Sequence, residues 1–323
     1  MKEVKFDSIQ FIKRIIGFSQ RQCIGEMKTA DFLEDFLHKK KIPFFAQKFR
    51  TVVPVEKRAV LKADGKKIPC KSTCFVSGRI LNKKVIINSL SEFNEKKSKY
   101  NINFNPHCSE ISCASFYHQP AVSIAHKDLK RILKARKVRG LVKIKPTPYI
   151  ARNILVGNIK NPVIVCFAHY DSILTGAWDN AAGVATMMAN IILSQNTLKN
   201  TLYVFTANEE LSYDKKPAYW CRGFRCFEEK YLDLLKKAKK IIVIDGVGIG
   251  PSHWSVKYEN LKYTIWINHL KSLKSKMKRL GTKLKSSQKI YHSKADDISR
   301  IKKRYLLQTI KKLNKEIVLS IKI

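Results

Sequence analysis

NPVIVCFA, residues 161–168, decides the fold, because a nearly continuous apolar run is typical of a strand buried on both faces. The next segment, NAAGVATMMANIILSQ (180–195), predicts a helix whose small residues allow close approach to a sheet. TLYVFTA (201–207) and IIVID (241–245) predict two further buried strands. Ile298 to Ile317 predicts a helix that covers one face of the sheet. Strands that alternate with helices over short connections indicate an α/β fold.

The first half of the chain has a different pattern. TADFLEDFLHKK (29–40) predicts a helix with Thr29 as its N-terminal cap. The polar stretch from about 91 to 119 predicts a long loop. PAVSIAHKDLKRILKARKVRGLVKIKP (120–146) predicts a strand, a helix and a second strand.

This change of pattern suggests two parts in the chain. A length of 323 residues allows one large domain or two small ones. We interpret 51–146 as a β-rich inserted subdomain, and 1–50 together with 147–323 as an α/β domain.

The net charge is strongly positive. Lys and Arg number 63 against 25 Asp and Glu, which gives a formal charge of +38 and a pI near 10.0. Such a charge attracts polyanions, so nucleic acid and anionic membranes are candidate partners. The lysines are spread through the chain, however, and a compositional bias over solvated faces is the simpler explanation.

The sequence also bears on the cell compartment. Met1 to Phe18 mixes charged with apolar residues and lacks the uncharged core of a signal peptide. No apolar run approaches the roughly 18 residues that a membrane-spanning helix needs. The eight cysteines lack the CxxC spacing of zinc ribbons. We therefore expect a cytoplasmic protein with reduced thiols.

Acids and a histidine follow the predicted strands at the point where each strand ends. His169 follows the first run, Glu209 and Glu210 come one residue after the second, and Asp245 ends the third. Functional groups in an open α/β sheet collect at the carboxyl ends of the strands, so we expect these side chains to lie close together. Carboxylates and imidazoles bind divalent cations, and two bound cations can activate water for hydrolysis. The sequence therefore predicts a metal centre at this edge of the sheet.

Two further candidate ligands lie outside the strands. Asp179 stands before the predicted helix, and His292 stands in YHSKADD (291–297). Taken alone, Asp179 is also explained as a helix N-cap, and His292 as the residue before a helix capped by Ser293. The strand-end residues have comparable structural explanations one by one. All these donors together, in this order, favour a metal centre.

Five short segments resemble the signature motifs of the M28-type dinuclear zinc aminopeptidases. They are AHYDS (168–172), GAWDNAAG (176–183), ANEE (207–210), VID (243–245) and YHSKADD (291–297). The resemblance covers about 153–323, with a weaker likeness upstream to members that carry a small β-rich, PA-like insertion. It implies a three-layer α/β/α fold with a mixed, mostly parallel central sheet, together with the inserted subdomain.

The resemblance also implies a set of metal ligands. Asp179 would bridge two Zn²⁺ ions, His169 and Asp245 would complete one site, and Glu210 and His292 the other. Co²⁺ and Mn²⁺ are alternative metals for the same ligands.

Two more residues receive implied roles in catalysis. Glu209 would be the general base, and Asp171, two residues after His169, would hold the imidazole. The implied substrate is a peptide with a free N-terminus.

Two other functions remain open. A glutaminyl-cyclase-like acyltransferase shares HYDS and the paired acids but works with one zinc ion. A non-catalytic basic binding protein could also be built on a peptidase scaffold. About 46 residues separate Asp245 from His292, fewer than the family usually has, and this leaves the preferred N-terminal residue of the substrate unassigned. The sequence does not assign an oligomeric state.

Overall fold

The computed structural model describes residues 6–91, 98–214 and 216–321. The chain divides into two compact units. Unit 1 comprises Met1–Thr51, Tyr149–Ser286 and Asp297–Ile323, and unit 2 comprises Val52–Pro148 and Ser287–Asp296. Unit 2 thus includes Ser287–Asp296, which we assigned from the sequence to the α/β domain.

The helices and strands are numbered in chain order. The helices are α1 (Ser8–Ile16), α2 (Ile24–Lys39), α3 (Leu129–Lys134), α4 (Ala182–Leu193), α5 (Arg222–Lys237), α6 (Tyr258–Thr264), α7 (Leu270–Leu273), α8 (Leu284–Ser287) and α9 (Lys303–Ile321). The strands are β1 (Phe44–Ala63), β2 (Lys66–Ile68), β3 (Lys71–Ser72), β4 (Gly78–Ile80), β5 (Ile86–Asn88), β6 (Asn101–Phe104), β7 (Ala121–Ile124), β8 (Val138–Gly157), β9 (Ile164–His169), β10 (Thr201–Thr206), β11 (Lys240–Ile244), β12 (His253–Ser255) and β13 (Met277–Gly281). In the parts of the chain that are described, no helix combines the length and the apolar character needed to cross a membrane.

The sheet of unit 1 has the order β12-β13-β11-β9-β10-β8. Neighbouring strands are parallel from β13 to β10, whereas β12 is antiparallel to β13 and β8 is antiparallel to β10. β9 is buried along its whole length, as its apolar sequence predicts.

Helices cover both faces of this sheet. On one face α4 packs against β9 and β11, and α9 packs against α4 and β9. On the other face α5, α6 and α7 contribute to a core that contains Val165 and Phe167 of β9. The ring of Phe167 lies 5.3 Å from Phe224 and 5.1 Å from Phe227, both in α5. The predicted three-layer α/β/α fold with a mixed, mostly parallel sheet is confirmed.

The boundaries of the predicted helix at 29–40 were wrong. α2 begins at Ile24, and the hydroxyl of Thr29 donates to the carbonyl of Gly25 one turn earlier. A threonine that hydrogen-bonds back to residue i−4 lies inside a helix and does not cap it.

Unit 2 is rich in β-structure. β3, β7, β6 and β5 form a sheet in that order, in which β7, β6 and β5 are parallel. β2 pairs with the end of β1, and β4 pairs with the start of β8. Its apolar core includes Leu61, Ile102, Val122 and Val142, each with no exposed surface.

The predicted loop from 91 to 119 was wrong over Asn101–Phe104, which forms β6. The sequence shows no apolar pattern typical of a strand here, because Asn101 and Asn103 occupy buried positions that apolar residues usually fill. Both asparagines are buried, and the Asn103 amide donates to Thr73 Oγ1 at 2.8 Å and to Asn101 Oδ1 at 2.9 Å. Part of that predicted loop, 92–97, lies outside the described residues.

Ser287–Asp296 is hydrogen-bonded to the segment 105–113 of the same unit. Asn105 Nδ2 donates to the carbonyl of Gln288 at 2.8 Å, and Ser112 Oγ donates to that of Tyr291 at 2.6 Å. The amide of Cys113 donates to the carbonyl of His292 at 2.8 Å. The backbone around His292 is therefore held by unit 2.

Candidate metal centre

Three neighbouring strands of unit 1 deliver candidate ligands at their carboxyl ends. His169 is the last residue of β9, Asp245 directly follows β11, and Glu209 comes three residues after β10. Because these strands are adjacent and parallel, their ends meet at one edge of the sheet. The side chains of His169 and Glu209 are almost fully buried there.

Asp179 approaches the same edge from an irregular turn before α4. Its backbone is not helical, with φ −116° and ψ 83°. The next residue, Asn180, ties this turn to the end of β11: its amide donates to the carbonyl of Ile244 at 2.8 Å, and its Oδ1 accepts from the amide of Gly246 at 3.3 Å. Asn180 therefore fixes the segments that carry Asp179 and Asp245 relative to each other.

The distances between donor atoms suit a metal ion. His169 Nε2 lies 3.1 Å from Asp179 Oδ1 and 3.9 Å from Asp245 Oδ1. Zinc ligands at about 2.0–2.2 Å in tetrahedral geometry lie roughly 3.4 Å from one another. These three residues each offer one ligand atom within 4.8 Å of the others, and His169, Glu209 and Glu210 form a second such group.

Asp171 connects the imidazole to the paired glutamates. Its Oδ1 lies 3.4 Å from His169 Nδ1 and accepts from the amide of Glu209 at 3.0 Å. Its Oδ2 accepts from the amide of Glu210 at 2.9 Å and from Gln22 Nε2 at 3.1 Å. The contacts to the two glutamate amides were not foreseen from the sequence, where Asp171 was assigned only to the histidine.

Asp171→Asn is expected to lower the free energy of unfolding by about 1–3 kcal/mol. The new amide group would point a donor at a backbone N–H inside a fully buried site. Chemical denaturation of the metal-free protein measures the change. Asp233→Asn is the control, because Asp233 is exposed on α5. A loss below about 0.5 kcal/mol, the range of ordinary surface substitutions, would contradict this role of Asp171.

The protonation of the cluster reflects its crowded charges. Burial alone would lower the pKa of His169, but Glu209 and the nearby aspartates outweigh it and hold that pKa well above the usual value. Burial raises the pKa of Glu209 well above its ordinary value; His169 opposes this rise and Glu210 adds to it. A cation among these groups would relieve the repulsion between the carboxylates. The donor set therefore fits a divalent metal.

Arg21 supports the loop between His169 and Asp179, and no sequence motif indicates this role. Its guanidinium is fully buried and donates to three carbonyls of this loop, those of Tyr170 at 2.7 Å, Thr175 at 2.7 Å and Gly176 at 2.8 Å. A planar group with five donors can hold several carbonyls at once. Arg21 comes from the segment before α2, far from any recognised motif.

His292, the remaining predicted ligand, lies in unit 2 and is buried. Its Nδ1 is 3.1 Å from the carbonyl of Cys113. A carbonyl partner requires the proton on Nδ1, which leaves the lone pair of the ring on Nε2. The role of His292 as a ligand stays a prediction.

Residues 153–288 match the family model of peptidase family M28. Over this segment the chain is therefore similar to the M28 peptidases. The matched segment contains the predicted ligands of unit 1 and ends before His292. A comparison with curated proteins finds no match.

Solved structures share the fold of this chain. BSAP, a zinc aminopeptidase from Bacillus subtilis, has a TM-score of 0.70 at 17% identity, over 97% of this chain and 95% of that chain. A peptidase M28 precursor from Shewanella amazonensis has a TM-score of 0.65 at 14% identity, over 97% and 92%. Porphyromonas gingivalis glutaminyl cyclase has a TM-score of 0.52 at 14% identity, over 96% of each chain.

Proposed function

We propose that this protein is a zinc-dependent aminopeptidase that removes the N-terminal residue of peptides. The observation that carries the proposal is the cluster of His169, Asp179 and Asp245 beside Glu209 and Glu210, at the carboxyl ends of three parallel strands of an M28 domain. Imidazole and carboxylate donors are typical ligands of catalytic zinc.

Two zinc ions per chain are proposed. Asp179 would be the shared ligand, His169 and Asp245 would hold one ion, and Glu210 and His292 would hold the other. The proton on His292 Nδ1 supports this assignment, because it orients Nε2 as the metal-binding nitrogen. Three ligand carboxylates bring three negative charges to two dications, which makes a buried site tolerable.

Each residue then has a defined task. When bound, zinc polarises the scissile carbonyl and lowers the pKa of water. Glu209 takes a proton from that water and returns it to the leaving amine. Asp171 holds the His169 ring and the backbone of the paired glutamates in place.

Glutaminyl-cyclase-like acyl transfer is the second candidate. The likeness to Porphyromonas gingivalis glutaminyl cyclase supports it at the level of the fold. The two candidates differ in zinc stoichiometry and in product, because a cyclase forms pyroglutamate from an N-terminal glutamine and releases no amino acid.

The decisive experiment combines elemental analysis with a panel of amino-acid p-nitroanilides and glutaminyl peptides. We expect about two zinc ions per chain, release of N-terminal amino acids and no pyroglutamate. Removal of zinc with 1,10-phenanthroline is expected to abolish the hydrolysis, and added zinc to restore it. If the protein forms pyroglutamate and binds one zinc ion per chain, the aminopeptidase proposal is wrong and the cyclase proposal takes its place.

A third outcome concerns the net charge of +38. Salt-dependent binding of DNA or anionic vesicles, without turnover of any substrate in the panel, would indicate a binding protein on a peptidase scaffold.

We place the protein in the cytoplasm. Its eight cysteines, which are free thiols, support a reducing compartment.

A further inference from the structure

The thiol of Cys221 lies against the carboxylate of Glu209. Cys221 Sγ is 3.1 Å from Glu209 Oε1, whereas its other acceptor, the carbonyl of Thr264, is 3.8 Å away. A thiol has one proton, and the nearer acceptor, the Glu209 carboxyl oxygen, receives it. The sulfur in turn accepts from the amide of Trp266 at 3.2 Å, which fixes the sulfur itself.

The backbone of Cys221 is held to the same glutamate. Its amide donates to the carbonyl of Glu209. Cys221 has left-handed dihedral angles, φ 65° and ψ 27°, at the start of α5. Two residues later, at Gly223, the chain passes very close to the segment that follows β10. A Cβ atom at this position would lie 1.9 Å from the carbonyl oxygen of Ala207. The start of α5 and the segment 207–209 therefore form a single tightly packed element.

We propose that Cys221 is a positioning residue for the general base: its thiol donates to Glu209 Oε1, fixes the orientation of the carboxylate, and leaves Oε2 to accept the proton of water. The inference rests on the proposed function, in which Glu209 is that base. Without a donor at this position the Glu209 side chain could rotate away from the productive orientation, and a small misplacement of a catalytic group has a large effect on rate.

A buried thiol suits this role better than a stronger donor. Cys221 has no exposed surface, and the amide of Trp266 holds its sulfur, so solvent does not compete for the donor proton. The S–H group is a weak donor, so it orients the carboxylate without removing much of its basicity.

The first test is kinetic and uses the zinc-loaded protein. Cys221→Ala is expected to lower kcat by about tenfold with little change in KM, the size of effect of one lost hydrogen bond to a charged group. Cys221→Ser keeps a donor and is expected to recover most of this loss. Cys226→Ala is the matched control, because it removes another buried thiol of α5. Zinc content is measured for each variant and is expected to equal that of the parent.

The second test is spectroscopic and needs no substrate. The infrared S–H stretching band that is lost in Cys221→Ser belongs to Cys221. We expect Glu209→Gln to move this band to higher wavenumber, because an amide is a weaker acceptor than a carboxylate. An unmoved band overturns the proposed hydrogen bond.

The outcomes separate this inference from the proposed function. If the parent releases amino acids but Cys221→Ala has the kcat of the parent, or Cys221→Ser is as slow as Cys221→Ala, the positioning role is wrong. If the parent hydrolyses no peptide substrate, the function fails, and the role of Cys221 toward a base fails with it. The infrared band then still decides whether the thiol holds the carboxylate.

Discussion

Glu209→Gln is expected to lower kcat by about 10²- to 10⁴-fold while the zinc content stays at that of the parent. An amide has nearly the shape of the carboxylate and accepts a hydrogen bond from Cys221, but it cannot take a proton from water.

The measurement is the hydrolysis of leucine p-nitroanilide, with metal content determined on the same preparation. Glu229→Gln is the matched control, because Glu229 is exposed on α5 and outside the cluster. A Glu209→Gln variant that cleaves the anilide like the parent would show that another group is the base. If the variant is inactive because it has lost zinc, Glu209 is a metal ligand and not the general base.

Asp179→Ala is expected to reduce zinc from about two ions per chain to nearly none, and to abolish hydrolysis with it. Asp179 Oδ1 lies 3.1 Å from His169 Nε2, and its carboxylate is the one proposed to serve both ions. Loss of a shared ligand also leaves the remaining carboxylates without the cations that offset their repulsion.

Elemental analysis after dialysis tests this expectation. Asp233→Ala, at an exposed position of α5, controls for the loss of one negative charge. Circular dichroism of both variants separates metal loss from unfolding. A folded Asp179→Ala protein with two equivalents of zinc would refute the bridging role.

The sheet and its strand-end acids could be predicted because each relies on local sequence. The apolar run of β9 specifies a strand buried on both faces, and the position of His169 directly after it follows from counting residues. His169, Glu209 and Asp245 are then expected to lie close together, because the strands that precede them are parallel neighbours. These inferences need no knowledge of distant contacts.

The supports of the cluster could not be predicted in this way, because they come from segments far away in sequence. Arg21 precedes the loop after His169 by about 150 residues. The residues beside it in the sequence do not indicate that it donates hydrogen bonds to the carbonyls of that loop. From the sequence, Cys221 is only one of eight cysteines that lack the spacing of a zinc ribbon. Asn180 was part of a recognised motif, but its contact with Ile244 depends on the fold. The strand β6 was missed for a related reason, since buried asparagines imitate a polar loop.

Within unit 2, hydrogen bonds from Val52–Pro148 hold the segment Ser287–Asp296. These hydrogen bonds limit how the protein can be shortened. The β-rich insertion resembles an optional module in the linear sequence, and its removal would suggest a minimal catalytic core. Excision of Val52–Pro148 would also remove Asn105, Ser112 and Cys113, whose hydrogen bonds hold the backbone beside His292. A trimmed protein would retain all five of the short motifs quoted from the sequence and yet lack the hydrogen bonds that anchor one proposed ligand.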